Sequence, residues 1–268
     1  MNLLILEDGE SGTTIGRNDR RYEHVKKVLK KHAGDEVEAG IATDSPFGPA
    51  PGSIGIAHID SLDEGGMRLA YRPVREAEPL PPLRLILGFP RPIQANRIFK
   101  DLTSLGLAEL VLTGTELGEK SYLESDFFRA REYRRPLLEG AEQAANPRIA
   151  RVSQHWSLRQ CLDSLDAANK DSMGPSEPSW TEGLRIVLHP DRQARPLSMA
   201  LARQGAEANP ILRPVTLAIG SERGWTEQEL VMLLNNGFEP CSLGSRILKT
   251  ETACAAAISL ALASMSLL

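Results

Sequence analysis

Two rhythms of hydrophobic and polar positions divide the chain. Up to residue 78, short apolar runs alternate with Gly, Pro and Asp turns. "LLIL" (3–6), "DEVEAGIA" (35–42), "GSIGIAHIDSL" (52–62) and "MRLAYRP" (67–73) read as strands. One basic helix interrupts them, "DRRYEHVKKVLKKHAG" (19–34). Tyr22, Val25, Val28 and Leu29 fall at helical spacing there, and Gly34 closes it. The combination predicts a small β-barrel carrying one helix. The segment "RPVREAEPLPPL" (72–83) holds four prolines and predicts a stiff, extended linker.

Beyond it the pattern becomes helix–strand alternation. "LRLILGF" (83–89) is a continuous apolar run, as in a parallel strand buried on both faces. A helix follows over 93–105, ending at Gly106, then the strand "AELVLT" (108–113). A long helix is expected from Glu124 to Ala145, kinked or split at Pro136. "RIARV" (148–152) reads as extended, "LRQCLDSLDAA" (158–168) as helical, and 169–183 as a polar loop. "LRIVLHP", "VTLAIG" and "GFEPCSLG" give three more strands. Between the last two lies a helix with Thr226 as N-cap, Glu229 at the capping-box position and Gly237 beyond its end. Thr250 is expected to cap the terminal helix. The fold class is therefore α/β, with a mostly parallel sheet over 79–268 and a separate β unit over 1–78.

Composition narrows the function. At 268 residues, 41% apolar and 25% charged, the chain is ordinary for a soluble globular protein. With only 5% aromatics, broad base-stacking platforms are not expected. The net charge of −4 means that nucleic-acid binding would need a local basic patch. Arg17, Arg20, Arg21, Lys26, Lys27 and Lys30, with Lys31, supply one candidate; the same residues also read as a solvated helix face. Cys161, Cys241 and Cys254 lack metal-ligand spacing and read as free thiols, so no metal is expected. The final run is diluted by Ala and Ser and reads as a packed helix, not a membrane span. No signal peptide is expected from "LLIL", which Glu7 and Asp8 follow directly; the expected location is cytoplasmic.

In an open parallel sheet, ligands bind beyond the carboxyl ends of the strands. Three expected strands end in candidate binding turns: Leu188-His189-Pro190, Gly220-Ser221-Glu222-Arg223-Gly224, and Ser242-Leu243-Gly244-Ser245-Arg246. Taken singly, each reads first as a tight strand-to-helix connection. The spacing is not GxGxxG and there is no Walker lysine. Their occurrence at successive strand ends is what points to a site.

The order of these motifs resembles the ribosomal RNA small subunit methyltransferase E family, within the SPOUT superfamily of knotted methyltransferases. The resemblance rests on "VLHP" (187–190), "AIGSERGWTEQEL" (218–230), "GFEPCSLGSRILKTETACAA" (237–256) and "EGAEQAANPRI" (139–149). It implies a PUA-like RNA-binding barrel over 1–78 and a methyltransferase domain over 79–268. In that domain roughly 237–268 would thread a deep trefoil knot. It also implies S-adenosyl-L-methionine as cofactor, a homodimer with the site at its interface, and methylation of a uridine N3 in 16S rRNA of the small ribosomal subunit. On this reading Leu188, His189, Gly220, Ser221, Glu222, Gly224, Ser242, Leu243, Gly244, Arg246, Ile247, Leu248 and Thr250 hold the cofactor. Arg246 is the expected catalytic cation, with Glu222 and Glu251 as candidate orienting groups or base. The chain departs from the pattern at Ser221, where Pro is usual, at Arg223, where Gly is usual, and at Ser104, where Glu is usual. It also reads "TGTELGEKSY" (113–122) in place of an S-E-R-S run, although Glu116 and Lys120 are similar in kind. Two alternatives stand beside this reading: a SPOUT methyltransferase acting on another RNA, and a drifted RNA-binding or ribosome-assembly factor without catalysis.

Overall fold

The computed structural model describes residues 2–48, 54–171, 177–191, 193–202 and 213–268. The N-terminal sheet is built from β1 (Leu4–Leu6), β2 (Thr14–Ile15), β3 (Glu36–Ile41), β4 (Ile54–Asp63) and β5 (Gly66–Arg75), with helix α1 (Arg20–Glu23) between β2 and β3. The strand order is β1-β3-β4-β5-β2. β1 runs parallel to β3, and the other pairings are antiparallel. Side chains alternate as a half-buried strand requires: Val37 and Ala39 face the core, Glu36 and Glu38 face water. Leu4, Leu6, Tyr22, Val25, Ile59, Met67 and Leu69 fill one core.

The basic helix departs from expectation. α1 gives way to a π turn over His24–Val28, and Lys30 has φ 53°, so the helix ends well before Gly34. Tyr22 and Val25 are buried, but Val28 and Leu29 are exposed, because the wider π turn rotates them off the core face. β5 also runs further than expected, pairing Arg75 with Ile54, so the extended connection begins only after Arg75.

The larger unit comprises β6 (Leu83–Gly88), α2 (Pro92–Leu105), β7 (Glu109–Thr113), α3 (Lys120–Leu123), α4 (Asp126–Arg129), α5 (Arg134–Ala144), β8 (Arg151–His155), α6 (Leu158–Asp171), β9 (Leu184–Leu188), β10 (Arg195–Pro196), α7 (Leu197–Leu201), β11 (Val215–Ile219), α8 (Glu227–Asn235), β12 (Glu239–Ser242) and α9 (Thr250–Ser264). Seven strands form a sheet in the order β10-β12-β9-β11-β6-β7-β8, and every pairing is parallel. Its strands split their side chains between two helical layers. Leu85, Leu87, Leu110, Leu112 and Leu217 pack with α2, α5, α7 and α9. Ile86, Val111, Val187 and Ala218 pack with α6 and α8. Glu109 is tolerated in a buried strand because the Arg84 guanidinium, itself stacked 4.0 Å from the Trp180 ring, donates to it at 2.6 Å.

Three local expectations need correcting. The long helix over 124–145 is broken at 130–133, where Arg131 has φ 56°, and not at Pro136. Pro136 lies in the first turn of α5, where a backbone N–H has no intrahelical partner to lose. The cap of α9 is Lys249, with extended ψ of 151°, so Thr250 is the first helical residue. α6 continues to Asp171, into the span read as polar loop, of which 172–176 lie outside the described residues. β2, β10 and α7 are too short to show a periodicity. The thiols are free, and burial pushes Cys161 up to about 12 and Cys241 up to about 11. Among the described residues no helix is long and apolar enough to cross a membrane.

The two units share a core, since Leu3, Ile5, Ala42, Ile54 and Ala77 pack with the residues around α5. Polar ties reinforce it. Arg20 donates to both oxygens of Glu142, at 2.5 and 2.7 Å, and Arg134 to Glu7 at 2.6 Å. Buried Arg148 donates to the carbonyls of Ser45 (2.7 Å), Gly48 (2.8 Å) and Ala77 (3.2 Å). Arg148→Leu strands those carbonyls away from water. We expect it to cost about 3 kcal/mol, read as a lower denaturation midpoint; a loss below about 1 kcal/mol would mean water replaces the guanidinium there.

Candidate active site

Because β12, β9 and β11 are neighbours, their carboxyl ends lie side by side. The turns that follow them are remote in sequence and adjacent in space. The backbone N–H of His189 donates to the Cys241 carbonyl at 3.0 Å, which ties the first turn to the third. Within the second turn, Gly224 N–H closes onto the Ser221 carbonyl at 2.8 Å. Gly220 is required there: a Cβ on it would sit 2.6 Å from the Gly224 carbonyl carbon. Gly244 has φ +109°, a conformation that L side chains rarely adopt.

The three turns and the start of α9 enclose a cavity of about 310 Å³. Its walls are Leu188, His189 and Pro190; Ile219 to Gly224; Leu243, Gly244 and Arg246 to Leu248; and Thr250 with Ala253. Apolar side chains, free backbone groups at tight turns and a few polar atoms make a small-molecule site. Two buried polar atoms of lining residues, His189 Nδ1 and Ser221 Oγ, have no partner within the protein. Such atoms are costly unless a ligand or water meets them. Ser242 is outside the lining; it is buried, and its hydroxyl donates to the Ala194 carbonyl at 3.3 Å. Glu251 sits in the first turn of α9, also outside the lining.

A second cavity of about 460 Å³ adjoins the first and shares Glu222 and Arg223 with it. Arg91, Gln94, Leu117, Glu119 and Tyr122 complete its walls. Glu222 accepts the Arg91 backbone N–H at 2.9 Å, which fixes the carboxylate between the two cavities. The Tyr122 hydroxyl bonds the Arg91 guanidinium and raises its pKa. Arg223 lies 3.7 Å from Glu119 in an exposed pair. Arg91, Gln94 and Tyr122 were not singled out from the sequence. "FPRP" (89–92) follows β6, a fourth strand end, and the carboxyl-end rule applies to it as well. Glu229 does more than cap α8: its other oxygen accepts the Glu116 N–H at 2.9 Å, docking the loop after β7 onto that helix. Among the described residues no cluster of metal-ligating side chains occurs.

The basic patch of the N-terminal unit is elsewhere and largely engaged. Arg20 is held by Glu142, and Arg21 by Glu10 and Asp19. Lys26 donates to the Tyr22 hydroxyl and Lys27 to Glu23. Arg17 and Lys30 are exposed.

Residues 76–262 match the family model described as an RNA methyltransferase domain. The ribosomal RNA small subunit methyltransferase E of Treponema pallidum is 32% identical over 98% of this chain and 91% of its own length. The ribosomal RNA small subunit methyltransferase E 1 of Borreliella burgdorferi is 28% identical over 96% of this chain and 95% of its own. The crystal structure of a ribosomal RNA small subunit methyltransferase E from Neisseria gonorrhoeae, bound to S-adenosyl methionine, superposes with a TM-score of 0.66 at 19% identity. It covers 98% of this chain and 97% of that one. The chain belongs to the ribosomal RNA small subunit methyltransferase E family.

The two turn positions at 220 and 223 separate close packing from exposed charge. Gly220→Ala must push the Gly224 backbone aside and is expected to cost about 1–3 kcal/mol. Arg223→Gly loses only an exposed ion pair and should change stability by less than about 1 kcal/mol. Denaturant titration of both variants checks this, and equal losses would contradict the close approach at Gly220.

Proposed function

We propose that the chain is an rRNA methyltransferase that uses S-adenosylmethionine to methylate N3 of a uridine in 16S rRNA of the small ribosomal subunit. The observation that carries the reading is the convergence of three strand-end turns, two of them glycine turns, on one cavity, in a chain of this family. Ser221, His189 and the backbone of the turns would hold the cofactor's polar groups, with Leu188, Ile219, Leu243 and Leu248 around its apolar parts. S-adenosylmethionine, when bound, supplies an already activated methyl group. The chain's own task is to hold the base, keep its N3 in line, and accommodate the charge left when the N3 proton departs. Arg246, exposed at the cavity rim, would stabilise that charge. Glu222, held by the Arg91 N–H between the two cavities, would orient the base or take its proton. The reactive edge is the Watson–Crick edge, so the uridine must enter unpaired or flipped.

The reading extends to architecture. β12, late in the chain, lies between β9 and β10, as threading of 237–268 through a trefoil knot would require. The five-stranded N-terminal sheet with its helix supports a PUA-like RNA-binding unit over 1–78. α9 has no charged residue after Glu251. A helix apolar all round is normally covered on every side. One side of α9 meets α2, α7 and β11. Leu260 on α9, Ile93 at the start of α2 (73% exposed) and Ile247 at the cavity rim (90% exposed) remain for a second copy. A homodimer with the site at its interface covers them, and a cytoplasmic location places the enzyme beside its ribosomal substrate. A second reading, methylation of a different RNA position, is favoured by Arg223 and Glu119 in the wall of the second cavity.

Transfer of labelled methyl groups to small subunits from a strain lacking the modification tests the reading. Nucleoside mass spectrometry should find N3-methyluridine; another methylated nucleoside would favour the second reading, and no transfer to any RNA would refute both. Arg246→Ala should lower kcat by about 100-fold with cofactor affinity within a few-fold of wild type; an unchanged rate would remove Arg246 from catalysis. Leu260→Glu should elute as a monomer and lose activity, and a dimer of normal activity would place the interface elsewhere.

A further inference from the structure

The carboxyl edge of the large sheet does not end at the second cavity. Tyr122 lines that cavity, and its neighbour Leu123 lines a smaller notch of about 90 Å³ with Phe89, Gln154, His155 and Trp156. The notch lies beyond β6 and β8, so the two cavities and the notch form a row along the ends of the parallel strands. β8 is three strand spacings from β11, or about 14 Å.

Trp156 stands at the end of this row. It is 70% exposed, whereas Trp180 and Trp225 are 3% and 6% exposed. Its backbone is pinned. The Trp156 N–H donates to Gln160 at 3.2 Å, and its carbonyl lies so close to Gly114 that a Cβ there would be 2.2 Å away. Gly114 N–H in turn donates to the His155 carbonyl at 2.9 Å. The indole is therefore presented to solvent from a rigid strand end and not from a loose loop. Burial lowers the pKa of His155, so the floor of the notch is uncharged at neutral pH. Arginines lie on the elements that flank it. Gln154 donates to the Phe128 carbonyl at 3.2 Å, which holds exposed Arg129 and Arg131 beside β8. Arg159 is exposed in the first turn of α6, and Glu124, Asp126 and Glu132 are the acidic groups nearby in sequence.

We propose that Trp156 is a stacking platform for an unpaired nucleotide flanking the methylated one, on RNA that follows the carboxyl edge. An exposed aromatic on a pinned backbone, with arginines on the flanking elements, suits stacking and phosphate contact together. The reading rests on the methyltransferase assignment of the cavities: the target base enters at the second cavity, and the strand continues past Tyr122 and Leu123 to the indole. It assigns Trp156 to substrate binding and not to the chemical step.

Tryptophan fluorescence tests it directly, because Trp156 is the exposed member of the three. In the full-length protein, acrylamide should quench Trp156 before RNA is added. A short single-stranded oligoribonucleotide containing uridine should quench its emission and then shield it from acrylamide. Both changes should vanish in Trp156→Ala. In methylation of small subunits, Trp156→Ala should raise KM for RNA about tenfold with kcat and cofactor affinity near wild type; Trp156→Phe should restore most of the loss. An RNA-induced quench that persists in Trp156→Ala, or an unchanged KM, would overturn the proposal. Shielding of Trp156 before RNA is added would also overturn it, and would assign the indole to a protein contact. If wild-type protein methylates no RNA, the enzymatic reading fails, while the fluorescence still decides whether Trp156 binds nucleotides.

Discussion

Everything functional in this molecule depends on one constraint: all seven strands of the large sheet point the same way. With every strand parallel, all carboxyl ends emerge on one edge, and most connections return across a helical layer. The order β12-β9-β11-β6 then sets which turns become neighbours. His189, Ser221 and Gly244 meet because their strands are adjacent, although more than twenty residues separate each from the next. The same constraint supplies the second cavity from the ends of β6, β7 and β11 without any further device.

How much of this was legible in the sequence follows from what each element demands of its residues. Strands buried on both faces need unbroken apolar runs, so β6, β7, β9 and β11 were plain. The capping box of α8 was also plain, since Thr226 and Glu229 satisfy each other's backbone. The turns were legible as turns; their convergence was not, because strand order is a long-range property. The π turn after α1 was hidden, since Val28 and Leu29 keep helical spacing in sequence while leaving the core. Pro136 misled because its effect depends on its place in the helix, and the first turn accepts it. Arg91 and Gln94 were missed because Gly88, the last residue of β6, reads as part of a buried apolar run and not as the start of a turn.

The departures from the family pattern touch both cavities, since Ser221 lines the first and Arg223 lines both. The turns around the first cavity keep their glycines where the backbone needs them, at Gly220 and Gly244. Arg223 and the loop bearing Glu119 instead face one another in the wall of the second cavity. A guanidinium at 223 and a carboxylate at 119 compensate each other, so one departure makes the other tolerable. An exposed pair of this kind contributes little to stability. Its consequence is for whatever enters the second cavity, which meets both charges together with Arg91 and Glu222.

The cations of the N-terminal unit lead to the same edge by another route. Arg20 and Arg21 look like a phosphate grip in the sequence, yet their guanidiniums are held by Glu142, Glu10 and Asp19. Taking Arg20 for a phosphate would expose Glu142, whose carboxyl burial already pushes upward in pKa, to an unpaired charge in the joint between the units. Arg20 thereby ties the first unit to α5, while Arg21 knits that unit together internally. On the proposed reading, RNA would meet the exposed cations Arg17 and Lys30 instead. A protein of net charge −4 can hold an anionic substrate only through such local placement. What the structure gives the N-terminal unit is a firm seat on α5, through Arg20 on Glu142 and Glu7 on Arg134.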